Sequence, residues 1–114
     1  MHEFSLMSSM MDTVRESAVQ NNIMQVEKIK LVIGKLSMAL PDSLQFAFEA
    51  LKKDELFQEA VLEIEEKEIT CLCSNCQQSF MVNKNYYFVC PECASNKVEI
   101  IGGRELYIDF FEGE

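Results

Sequence analysis

Four cysteines in two pairs, Cys73-Ser74-Asn75-Cys76 and Cys90-Pro91-Glu92-Cys93, are the residues of this chain best suited to chemistry. The chemistry is metal ligation. The pairs stand thirteen residues apart and supply the four thiolates that one tetrahedral Zn²⁺ takes. Each pair forms a knuckle that aims two sulfurs at one point, and a hairpin between them brings the second knuckle opposite the first. Four thiolates fill the coordination shell, so the spacing predicts a structural zinc ribbon with no open position for catalysis. The fifth cysteine, Cys71, lies two residues before Cys73 and on the same face of a strand. It is either a competing zinc ligand, a redox-sensitive thiol, or a small buried apolar residue, and the last reading is preferred.

The other residue with metal chemistry is His2, the single histidine. A lone histidine is usually a surface or core residue, but at position 2 its imidazole can reach a metal held by the terminal amine and the first backbone amides. Amine, deprotonated amides and imidazole make a nitrogen-rich, nearly planar set that suits Ni(II) or Cu(II). The bulk of His2 is expected to leave Met1 in place, so the amine is that of Met1.

Composition narrows the field. The formal net charge is −9, and between residues 71 and 98 the basic residues are Lys84 and Lys97 only. Zinc ribbons that hold nucleic acid need cations against phosphates, so nucleic-acid binding is excluded. No apolar run approaches the roughly 20 residues of a membrane helix. The start, Met1-His2-Glu3-Phe4, has neither a basic nor a clean apolar signal region. The expected setting is a reducing cytoplasm, where paired Cys-x-x-Cys motifs are metal sites more often than disulfides.

The elements that must position these residues are legible from periodicity. Leu6, Met7, Met10, Met11, Val14 and Ala18 predict an amphipathic helix over 5–20, with Ser5 as N-cap and Asn21-Asn22 as stop. The methionines on it read as core filler, not as a soft-metal surface. A strand follows over 26–33, with Ile29, Leu31 and Ile33 on one face. Pro41-Asp42-Ser43 opens a second helix, lined by Leu44, Ala47, Phe48 and Leu51 and closed by Lys52-Lys53. Residues 60–69 form a strand with Leu62 and Ile64 inward and Glu63 and Glu65 outward. Tyr86–Val89 reads as a strand entering the second knuckle. A last strand carries Leu106, Ile108 and Phe110 and returns to the first two. The expected fold is α+β: two helices and a three-stranded sheet in a discontinuous domain (1–69 plus 99–114), with a four-cysteine zinc-ribbon lobe (70–98) inserted. The acidic end, Glu112-Gly113-Glu114, reads as a solvated tail.

Taken in order, the Met1-His2-Glu3 start, the first helix, the strand ending Val32-Ile33-Gly34-Lys35-Leu36-Ser37, the Pro41…Leu44-Gln45-Phe46-Ala47-Phe48-Glu49 helix and the two knuckles resemble the HypA/HybF family of hydrogenase nickel-incorporation proteins. The resemblance covers essentially the whole chain. It implies a nickel metallochaperone, not an enzyme, with Ni²⁺ as transferable cargo at Met1, His2 and Glu3. It implies structural Zn²⁺ at Cys73, Cys76, Cys90 and Cys93. It also implies work with a HypB-type GTPase, delivery to the [NiFe]-hydrogenase large subunit and in some bacteria supply of urease and its accessory proteins. A monomer or a homodimer, domain-swapped in some members, would fit. Two departures stand out. Many members carry an acidic residue before the helix proline, where this chain has Leu40 and its nearest carboxylate is Asp42; and glycine often follows each cysteine pair, where this chain has Gln77 and Ala94.

Two other function classes compete. A zinc-ribbon interaction module without transferable metal fits the acidic surface equally well and would leave His2 incidental. A metallohydrolase or thiol oxidoreductase fits poorly, because a catalytic zinc keeps an open site and redox Cys-x-x-Cys motifs stand singly at a helix start. The glutamates of 63–68 read as the solvated face of a strand.

Overall fold

The structure, a computed structural model, describes residues 2–82 and 87–114. Its element order is α1 (His2–Gln20), β1 (Val26–Gly34), α2 (Pro41–Leu51), β2 (Val61–Lys67), β3 (Thr70–Cys73), β4 (Ser79–Met81), β5 (Val98–Gly102) and β6 (Leu106–Gly113). Short 3-10 turns lie at Lys35–Ser37 and Glu55–Phe57. The chain divides into two compact units, one of Met1–Val32, Ala39–Glu65 and Tyr107–Glu114, the other of Ile33–Met38 and Glu66–Leu106.

In the first unit α1 buries Met7, Met11, Val14 and Ala18, a spacing of three and four that keeps one stripe of the helix out of water. Met7 and Met11 are therefore core residues, and Met10 is half-buried. Burying each such side chain contributes roughly 1.5–3 kcal/mol before chain entropy is counted. The helix ends where Asn22 takes a left-handed φ of 58°, so that the Ile23 N–H reaches the Ala18 carbonyl at 2.8 Å and that of Asn22 reaches Val19 at 3.3 Å. This is the Schellman arrangement, with asparagine in glycine's place. At the other end the helix begins at His2, three residues before the Ser5 expected from sequence. Nothing in His2-Glu3-Phe4 opposes helix, and Glu3 lies in the first turn, where a carboxylate complements the helix dipole.

The sheet order β2-β1-β6 places the first strand centrally, with the last strand returned beside it, as expected. Central position explains why β1 is buried along most of its length, including Val26, Ile29, Leu31, Val32 and Ile33. On its exposed flank Lys28 and Lys30 meet Glu63 and Glu65 across β2, at 2.7 Å for Lys28–Glu63 and 3.2 Å for Lys30–Glu65. The glutamates are thus the solvated half of a cross-strand charge ladder. Helix α2 starts on Pro41 with no side-chain cap from Leu40 and buries Leu44, Ala47 and Phe48.

The second unit holds a sheet of order β4-β3-β5. Strand β3 pairs antiparallel with both neighbours, Cys71 opposite Phe80 and Ile100. Its core is Ile69, Cys71 and Val82, with Leu36, Phe80, Phe88, Val98 and Ile100 packed against it. The strand expected at Tyr86–Val89 is not present over residues 87–89, and Tyr86 lies outside the described residues. Strand β3 already has a neighbour on each side, and Phe88 packs its ring on the core from irregular backbone. The apolar run reports packing, not pairing. Segment 33–38 joins this unit through hydrogen bonds from Gly34 N–H to the Glu105 carbonyl and from Leu36 N–H to that of Gly103, both 2.7 Å. The approach is close enough that a Cβ on Gly34 would overlap the Gly103 carbonyl.

Candidate metal centre

The two cysteine pairs are built alike. In the first, Gln77 N–H donates to the Cys73 carbonyl (2.9 Å) and Cys73 N–H to that of Gln78 (2.8 Å). In the second, Ala94 N–H donates to the Cys90 carbonyl (2.8 Å) and Cys90 N–H to that of Ser95 (2.9 Å). Each loop closes on a residue in the left-handed region, Gln77 at φ 66° and Ala94 at φ 60°. These are the two positions where the sequence departs from glycine. The turns need positive φ, and the chain meets the need with side chains that strain there.

The knuckles bring the sulfurs of Cys73, Cys76, Cys90 and Cys93 within 4.8 Å of one another. The Sγ pairs Cys73–Cys93 and Cys76–Cys90 are each 3.6 Å apart. Tetrahedral Zn²⁺ with Zn–S near 2.3 Å requires sulfurs about 3.8 Å apart, so the donor set fits that ion in both chemistry and size. Cys73 and Cys90 are buried, Cys76 is half-buried and Cys93 is exposed. Cys71 is fully buried among apolar residues and stands outside the cluster, and desolvation raises its thiol pKa. It is the small apolar residue that the sequence favoured.

Electrostatics around the cluster are uneven. Asn75 Nδ2 lies 3.5 Å from Cys93 Sγ; this contact first, then the Ser95 backbone N–H, holds the Cys93 thiol down to about 6. At Cys76 the Gln78 N–H pulls downward, but desolvation and the Cys90, Cys73 and Cys93 sulfurs outweigh it and push the thiol up to about 12. Four sulfurs this close do not ionise together unaided. A divalent cation removes the conflict by sharing the charge, the usual logic of a thiolate site. Asn75, Gln78 and Ser95 support the ligands through hydrogen bonds that no spacing motif displays.

His2 is exposed and Glu3 half-buried in the first turn of α1; Met1 lies outside the described residues. Among the described residues the four cysteines are the sole gathering of three or more histidine, cysteine or carboxylate side chains fit for a metal, so the structure adds no side chain to His2 and Glu3. Leu40 is exposed just ahead of α2, and Asp42 is exposed in that helix's first turn. The start of α1 meets α2 through an aromatic pair: the rings of Phe4 and Phe46 meet edge to face, centroids 6.0 Å apart at 81°.

Comparison with known proteins gives one answer. Residues 1–113 match the family model described as hydrogenase/urease nickel incorporation, metallochaperone, hypA. The hydrogenase maturation factor HypA of Moorella thermoacetica is 42% identical over 114 residues, covering all of both chains. That of Pelodictyon phaeoclathratiforme is 43% identical over 108 residues, 95% of this chain and 92% of its own. The solution structure of the Ni metallochaperone HypA from Helicobacter pylori superposes with a TM-score of 0.65 at 28% identity, covering 97% of this chain and 96% of that one.

Proposed function

The chain belongs to the HypA family of metallochaperones, and from that premise we propose that it accepts Ni(II) at its N-terminus and delivers it during maturation of [NiFe]-hydrogenase. Members of this family are chaperones and not enzymes, so no catalytic residue is assigned. The nickel ligands are the Met1 amine, the backbone nitrogens of His2 and Glu3, and the His2 imidazole. The observation that carries this reading is the position of His2 and Glu3 in the first turn of a helix. The first four N–H groups of a helix have no helical acceptor, so amide nitrogens there can exchange a proton for a metal without breaking a hydrogen bond of their own. Cys73, Cys76, Cys90 and Cys93 hold structural Zn²⁺, supported by the fit of their sulfurs to a tetrahedral ion.

The division of labour follows the chain: 1–69 plus 99–114 carry the nickel end and 70–98 the zinc ribbon. A HypB-type GTPase and the hydrogenase large subunit are the partners, and the family description's mention of urease supports urease as a further client. The setting is the cytoplasm; no helix among the described residues is long and apolar enough to cross a membrane.

A metal titration tests the reading. Protein with an untagged native N-terminus is compared with His2→Ala, and zinc is counted in the same samples. One zinc in both with one nickel in wild type alone supports the carrier. Zinc in both and nickel in neither leaves an interaction module without transferable metal.

A further inference from the structure

Phe46 is 68% exposed on α2, a large ring left in water on a helix whose neighbouring Ala47 and Phe48 are fully buried. Its described ring contact is an edge-to-face meeting with Phe4. Phe4 is the third residue of α1 and follows directly on His2 and Glu3. Resting on the nickel-carrier reading above, we propose that Phe46 is a positioning residue: through Phe4 it pins α1 at its third residue, so that nickel uptake remodels the chain before Phe4 and no further.

The geometry requires some remodelling. A metal chelated by consecutive backbone nitrogens closes five-membered rings through N, Cα, C and the next N, which need ψ near 0°. A helix holds ψ near −42°. The chain at His2 must therefore leave helical geometry when its nitrogen and that of Glu3 take the metal, and each ligated amide gives its proton to water. Helix ends fray readily, and nothing intrinsic to an exposed first turn stops the fray from running on. Residues 5, 8 and 9 are exposed and Leu6 is half-buried; Met7 is the first fully buried side chain. The Phe4–Phe46 contact supplies a stop one turn earlier. It leaves a short metal-accepting segment on a fixed base, which a partner can empty without unfolding the helix behind it.

The test is backbone NMR on the full chain with its native N-terminus, zinc-replete, with and without one equivalent of nickel sulfate, as wild type, Phe46→Ala and Phe46→Tyr. Carbon secondary shifts report helicity at each residue. Without nickel, Phe46→Ala should lower the ratio of helical to frayed population at Phe4 and Ser5 by about 2- to 10-fold, the range an edge-to-face aromatic pair is worth. Phe46→Tyr, which keeps the ring and points a hydroxyl at solvent, should match wild type. With nickel, helicity in wild type should be lost at His2 and Glu3 and kept from Phe4 on, whereas in Phe46→Ala the loss should spread past Phe4. Unchanged helicity at Phe4 in Phe46→Ala, or a tyrosine variant that behaves like the alanine one, overturns the inference. Nickel-bound wild type that frays beyond Phe4 also overturns it. A wild type that takes up no nickel overturns the carrier reading and this role with it, and the metal count made on the same sample identifies that case.

Discussion

Replacing Gln77 and Ala94 with glycine should tighten the grip of the cysteine cluster on its metal. Both residues sit in the left-handed region, at φ 66° and 60°, where an L-residue is destabilised by roughly 1–2 kcal/mol. Glycine relieves that strain but loses more freedom on folding, about 0.5–1 kcal/mol. The net gain is about 0.5–1 kcal/mol per site. Little else is lost, because both side chains are exposed and the sole described contact is a 3.1 Å hydrogen bond from Gln77 Nε2 to the exposed Ser74 carbonyl. The knuckle geometry is needed only when the metal is held, and folding free energy of such a lobe is linked to metal affinity. The gain should therefore appear as metal retention, about 2- to 5-fold per site at 1.4 kcal/mol per decade. The assay is zinc transfer to a chromophoric chelator at fixed pH, for each single variant and the double. Gln77→Val serves as the opposite control, since a β-branched residue tolerates positive φ least. Glycine variants that release zinc as fast as wild type, beside a valine variant no worse, would refute the strain argument.

Cys71→Ser should keep one metal per chain yet lose about 1–3 kcal/mol in a denaturant titration, because it buries a hydroxyl among Ile69 and Val82; Cys73→Ser should instead lose the metal by elemental analysis. Gly34→Ala should destabilise the second unit by about 1–3 kcal/mol or more, since its Cβ meets backbone that cannot step aside, and hydrogen exchange at Leu36 would report it locally. Glu63 is held below its ordinary value of 4.5 by the hydrogen bond from Lys28. A carboxylate depressed in the folded state stabilises above the unfolded pKa, and the contribution is lost as pH falls through the folded one. An NMR titration should thus place the Glu63 midpoint below 4.5, and Lys28→Met should raise it; an unmoved midpoint would show that the ladder is not what holds it.

What the sequence displayed and what it hid follow from the length of each signal. The cysteine spacing needs four letters, and the structure brings those four sulfurs together. Helices α1 and α2 and strand β1 are long enough for periodicity to declare itself. Strands β3, β4 and β5 span four, three and five residues, too few for alternation to separate pairing from packing. That is why the apolar run before Cys90 reads as a strand although Ser79–Met81 takes the place beside β3. The start of α1 is hidden for a different reason. A serine is a good N-cap in isolation, but a helix extends past it whenever the preceding residues are compatible. Asn75, Gln78 and Ser95 carried no signal at all, since their roles rest on backbone and amide hydrogen bonds around the sulfurs.

On the proposed reading, one small chain keeps two divalent metals apart by geometry instead of by strength. Affinity alone would not do it, because nickel and zinc stand close in the ordering of ligand binding and copper exceeds both. The thiolate cluster is tetrahedral and closed, a shape that costs Zn²⁺ nothing and offers Ni(II) no planar alternative. A terminal amine, two amides and an imidazole present the reverse: a planar nitrogen set that rewards Ni(II) and gives Zn²⁺ no comparable advantage. The supports differ in the same sense. The sulfurs sit on knuckles locked by paired backbone hydrogen bonds, so their metal is retained. His2 and Glu3 sit in a first turn with N–H groups that have no helical acceptor and with the Phe4–Phe46 contact behind them, so theirs can be surrendered. Retention and surrender thus follow from how rigidly each ligand set is held in place before and after its ion departs.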